Sequence, residues 1–78
     1  MPGFFVFSPA KFRAARERDD LSREQLAVAS RLSFQTIAAL EYGYRQPSKA
    51  ALLRLAAALG VSPGDLLEED PELEAVAR

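Results

Sequence analysis

Apolar residues recur at helical spacing along most of the chain. Leu52, Leu55, Ala56 and Leu59 fall at i, i+3, i+4 and i+7, a stripe along one face of a helix. Ile37 and Leu40 repeat the i, i+3 spacing, and Leu26, Ala27 and Ser30 form one side of the segment before them. Nearer the start, Phe12, Ala15 and Ala14 face inward, leaving Lys11, Arg13, Glu17 and Arg18 in water. Residues 1–7 break the pattern. Pro2 and Gly3 disfavour a helix, and Phe4 and Val6 favour an extended arm, either folded over the core or meeting a second subunit.

The punctuation between these stripes is regular. Ser8-Pro9 gives an N-cap followed by proline at the first helical position, so helix 1 is expected from Pro9 to about Arg18. Ser22 and Gln25 have capping-box spacing and open helix 2. Ser33 caps helix 3, and Arg31-Leu32 leaves room only for a tight turn between them. Gly43 ends helix 3, Ser48 caps helix 4 and Gly60 ends it. Ser62-Pro63 opens a short helix 5 through Leu66 and Leu67, and Asp70-Pro71 can open a last short helix to about Ala77. The expected architecture is all-α and five-helical. It divides into an apolar N-terminal arm (1–8), a helical domain (9–68) and an acidic C-terminal tail (69–78).

Composition narrows the chemistry. The chain of 78 residues has neither cysteine nor histidine, so disulfides, thiolate-held zinc and the commonest general base are excluded. No paired-carboxylate motif stands in a supporting context, which leaves no case for an enzyme, a metal or a cofactor. No apolar run approaches the ~20 residues that a membrane span needs. A cytoplasmic protein is the simplest expectation. The net charge of −1 hides an asymmetry: residues 1–58 carry nine Lys/Arg against five Asp/Glu, whereas residues 59–78 carry one against six. The basic part holds helices 2 and 3, compatible with a local basic face on DNA.

Several linked motifs resemble the Cro/phage-repressor (Xre-type) helix-turn-helix family. They are Arg16 with Leu21-Ser22, Leu26-Ala27, Ser33 with Thr36-Ile37, Glu41-Tyr-Gly43-Tyr-Arg45-Gln-Pro47-Ser48, Leu53 to Ser62, and Asp65-Leu-Leu67. The resemblance covers roughly Phe12 to Leu67. It implies a compact five-helix, lambda-repressor-like DNA-binding domain with the helix-turn-helix at helices 2 and 3. It also implies that helix 3 enters the major groove, and that Arg16 and Glu41 pair to join helix 1 to the end of helix 3. Two positions depart from the family. Arg31 stands where the turn usually has glycine, so either the turn differs or Arg31 is strained in a left-handed conformation. Arg23 stands where glutamine is frequent, and arginine can still reach a phosphate.

The outward positions of helix 3 have the chemistry for base edges. Gln35 can pair bidentately with adenine, Phe34 can touch a thymine methyl, and Ala38 and Ala39 allow close backbone approach. Arg23, Ser33, Thr36, Tyr42, Tyr44, Arg45 and Lys49 are the candidate phosphate contacts at helix starts and in the loop after helix 3. The expected function is sequence-specific transcriptional regulation, as a repressor binding operator DNA as a homodimer. Chains of this size in the family resemble phage or plasmid repressors, antitoxins and controllers of restriction systems. The alternative is a protein-interaction module, such as the antitoxin of a toxin–antitoxin pair. Its acidic tail or apolar arm would take the protein partner.

Overall fold

The computed structural model describes residues 5–70. A short strand, β1 (Phe5–Phe7), leads into α1 (Pro9–Arg18), α2 (Arg23–Ser30), α3 (Phe34–Glu41) and α4 (Lys49–Leu59). A 3₁₀ turn (Pro63–Leu66) and a second strand, β2 (Leu67–Glu69), follow.

Each α-helix starts on a serine. Ser8, Ser22, Ser33 and Ser48 are extended N-caps, whose hydroxyls accept from the backbone N–H of Lys11, Gln25, Thr36 and Ala51. Gln25 Oε1 also accepts from the Ser22 N–H at 2.8 Å, which completes a capping box.

The helix ends are equally uniform. Asp20, Arg31, Gly43 and Gly60 all have positive φ. The N–H of the following residue reaches back five positions, from Leu21 to Arg16, Leu32 to Ala27, Tyr44 to Ala39 and Val61 to Ala56. This is the Schellman pattern, which satisfies carbonyls that a helix end would otherwise leave unpaired. Leu21, Leu32 and Val61, just past their helices, turn back onto the core. Arg31 at φ 61° and ψ 33° is therefore left-handed, and the turn keeps the geometry that usually calls for glycine.

The core forms where the apolar stripes converge. Phe12, Leu26, Ile37, Leu40, Leu55 and Leu66 are fully buried, with Ala56, Leu59 and Phe7 beside them. α2 packs between α3 and α4, and α1 lies against α3 and the 3₁₀ turn. Ser30, buried at the end of α2, donates to the Leu26 carbonyl at 2.7 Å.

The expected all-α, five-helix architecture is corrected at both ends of the domain. Among the described residues there are four α-helices and a two-stranded sheet, and the segment expected as helix 5 makes one 3₁₀ turn. Gly64 weakens a helix there, and Leu67 leaves the turn extended at φ −112° and ψ 156°. The decisive factor is the unpaired backbone of the arm. β1 and β2 pair antiparallel, with Phe5 opposite Glu69, Val6 opposite Glu68 and Phe7 opposite Leu67. The Ser8 N–H extends the ladder to the Leu66 carbonyl at 2.8 Å, and Lys11 Nζ donates to the Leu67 carbonyl. Phe7 drops into the core against Phe12, with ring centroids 5.3 Å apart. Phe4 and the last helix expected from Pro71 to Ala77 lie outside the described residues.

The left-handed Arg31 yields a stability prediction. A side chain costs about 1–2 kcal/mol in this region, and glycine gives back part of that through its freer unfolded chain. Arg31→Gly should therefore stabilise the domain by about 0.5–1 kcal/mol. The check is a higher urea midpoint at an unchanged m-value; an unchanged midpoint would refute the strain.

Candidate nucleic-acid interface

The site is built around a buried carboxylate. Glu41, the last residue of α3, has a fully buried side chain. Arg16 grips it bidentately, Nη2 to Oε1 at 2.7 Å and Nε to Oε2 at 3.0 Å. Arg13 Nε reaches Oε1 at 3.0 Å and Arg23 Nη2 reaches the same oxygen at 3.4 Å. Arg16 Nη1 also donates to the Leu21 carbonyl at 2.8 Å, so one guanidinium ties α1 to α3 and to the loop before α2. Glu41 thus joins three helices, beyond the single pairing with Arg16 that the family resemblance implies. Arg13 lies one turn before Arg16 on α1, and that i, i+3 spacing is the signal that could have revealed it.

Burial is the largest influence on Glu41 and raises its pKa. The hydrogen bonds and charges of Arg16, Arg13 and Arg23 outweigh it, so the carboxyl is held below its ordinary value. Three guanidiniums around one carboxylate leave an excess of positive charge where α1, α2 and α3 meet.

Next to this cluster stands an aromatic pair. Tyr42, the C-cap of α3, lies 6.0 Å from Tyr44 between ring centroids, and the Arg23 guanidinium lies 5.1 Å from the Tyr42 centroid. Arg23 therefore has protein partners on both Glu41 and Tyr42, and these raise its already high pKa. Both tyrosines are exposed.

The remaining candidates spread along α3 and the loop beyond it. Ser33 Oγ caps Thr36 and donates to its Oγ1 at 2.9 Å. Phe34 is 40% exposed, a boundary position. Gln35 is exposed at the second position of α3, with Ala38 and Ala39 half-buried one turn on. Arg45 and Lys49 are exposed between α3 and the first turn of α4. Among the described residues, Gln35, Arg45 and Lys49 make no side-chain hydrogen bond or ion pair. The Gln46 side-chain Oε1 accepts from the Phe7 N–H at 3.1 Å, fastening this loop to β1, a contact that local patterning does not reveal.

Two capped helices joined through a left-handed Arg31, with α3 presenting an unencumbered Gln35, make a helix-turn-helix. The profile of the helix-turn-helix family HTH_3 matches residues 12–66. The chain belongs to the Xre/Cro-type helix-turn-helix family. Among solved structures, this helix-turn-helix protein is similar to the restriction-modification controller protein C.AhdI from Aeromonas hydrophila. The two share 34% identity at a TM-score of 0.72, over 74% of this chain and 88% of that one. It is similar to the clp gene regulator ClgR from C. glutamicum at 30% identity and a TM-score of 0.69, over 88% and 83% of the two chains. It is also similar to the hypothetical transcription factor NHTF from Neisseria at 26% identity and a TM-score of 0.73, over 90% and 79%. A comparison with curated protein sequences gives no match. Membership of this family supports a DNA-binding transcription regulator. Among the described residues, no helix is long and apolar enough to cross a membrane.

Glu41→Ala removes the shared acceptor and leaves Arg16 without its ion-pair partner. The expected loss is about 3–5 kcal/mol, which would unfold most of so small a domain; a thermal midpoint near that of the wild type would contradict it. The depressed pKa also has a pH consequence. Glu41 contributes stability that is present above its ordinary value of 4.5 and is lost as pH falls through the lower folded value. Urea unfolding of Glu41→Gln should therefore lose less stability between pH 7 and pH 3 than the wild type. Equal losses would assign the acid sensitivity to other groups.

Proposed function

We propose that this protein binds operator DNA as a homodimer, with α3 in the major groove, and represses the promoters its sites overlap. The observation that carries the reading is the combination at α3. Gln35 is exposed and unengaged near the helix start, while the helix end is anchored through Glu41 to α1 and α2. An amide on a rigidly held helix can pair bidentately with adenine N6 and N7. Phe34 beside it offers an apolar edge to a thymine methyl, and Ala38 and Ala39 let the helix lie close to the bases.

Backbone contacts fall to the flanks. Ser33 and Thr36 sit at the α3 N-terminus, where the dipole and free N–H groups favour a phosphate. Tyr42, Tyr44, Arg45 and Lys49 flank the other end and supply phenol hydroxyls and cations. One such module has few base contacts. Two copies on sites one helical turn apart, about 34 Å, would give useful specificity. The neighbours named as a restriction-modification controller and a clp gene regulator support a regulatory role.

Selection of bound duplexes from random DNA tests this reading, since a palindromic consensus reports both the preferred bases and the dimer. On the selected site, Gln35→Ala should weaken binding by about 1–3 kcal/mol, leaving affinity for unrelated DNA nearly unchanged. Equal losses on every sequence would remove Gln35 from base reading. The logarithm of the binding constant should also fall linearly with the logarithm of salt concentration.

A further inference from the structure

Arg23 occupies the first position of α2, where a cation meets the positive end of the helix dipole. It is held there by two neighbouring residues at the end of α3. Its Nη2 lies 3.4 Å from Glu41 Oε1, and its guanidinium carbon lies 5.1 Å from the Tyr42 ring centroid. Its Nε is enclosed and, among the described residues, has no acceptor. An arginine that grips a phosphate does so with two parallel N–H groups. Here the edge formed by Nε and Nη2 is turned toward Glu41 and the interior, and only 28% of the side chain is exposed.

We propose that Arg23 is a positioning residue: its planar guanidinium packs on Tyr42 and locks the Tyr42–Tyr44 pair for contact with the DNA backbone, rather than binding a phosphate itself. The proposal rests on the reading of α3 given above. Tyr42 is exposed and caps α3, so without this contact its ring would have rotamers to lose on binding. Fixing the ring beforehand removes that ordering cost from association. A lysine keeps the charge but lacks the planar face that stacks on an aromatic ring.

The test uses Arg23→Ala, Arg23→Lys, Tyr42→Ala and the Arg23→Ala/Tyr42→Ala double variant. In the free protein, urea unfolding should show the two residues coupled, by about two- to fivefold in the unfolding constant. Additive effects overturn the contact whatever happens on DNA. On the duplex selected by the wild-type chain, with affinities corrected for the folded fraction, both Arg23 variants should weaken binding alike, by about three- to tenfold. The salt slope should stay that of the wild type, and Arg23→Ala should add less than about twofold in the Tyr42→Ala background. Wild-type affinity in Arg23→Lys, or a slope smaller by about 0.9 in Arg23→Ala, would make Arg23 a phosphate ligand and overturn the proposal. A wild-type chain that selects no duplex overturns the reading of α3 and this proposal with it, and intact coupling in the free protein distinguishes that case.

Discussion

A buried carboxylate must be neutralised where it stands, and that requirement shapes this domain. Glu41 is shut away from water at the end of α3, and removing an ion from water costs several kcal/mol, roughly, unless charged hydrogen bonds replace the lost solvent. Arg16 supplies two of them in a fork, and Arg13 and Arg23 add one each. Such a cluster is poor evidence for extra stability, since apolar residues of the same volume can hold a core as well. Its value is geometric. A fork of hydrogen bonds tolerates little rotation, so the end of α3 keeps its angle to α1 and α2 while the start of α3 remains open to a partner.

The division along α3 follows from that arrangement. Ile37, Leu40 and Glu41 face inward and fasten the helix. Gln35, Arg45 and Lys49 are exposed and stay unengaged among the described residues, which is what the proposed DNA contacts require. Tyr42 and Tyr44 lie between these cases, exposed yet already in contact with each other, and Tyr42 also meets Arg23. The positive charge left over around Glu41 adds a local field of the sign that attracts phosphates, although the chain as a whole is slightly acidic.

What could be read from the sequence depended on the range of each interaction. The serine caps and the glycines at positions 43 and 60 act within a single turn, and the helix bounds could be read from them. The end of helix 1 at Asp19-Asp20 is legible as acids unfavourable to a helix C-terminus, but not the left-handed conformation of Asp20 that makes the Schellman end. The fifth helix failed for a different reason. Leu67–Glu69 has a local pattern that fits a helix end, and only pairing with the distant Phe5–Phe7 draws it out as a strand. Within the site, the motif pointed to Arg16 and Glu41. Arg13 is legible only as the residue one turn before Arg16 on the same helix, and the orientation of Arg23 depends on how α2 packs against the end of α3, which residue spacing within one helix does not state.

The small ribbon has a topological consequence. Because Phe5 and Glu69 are paired neighbours, the described chain closes nearly into a ring, and the order in which the helices are threaded matters less than which helices touch. A circular permutant that joins these two ends and opens the exposed turn at Asp19–Asp20 would retain every helix–helix contact of the core. Closing the ribbon also carries the largest loop entropy in the domain, so the four helices can assemble through shorter-range contacts before the strands zip together.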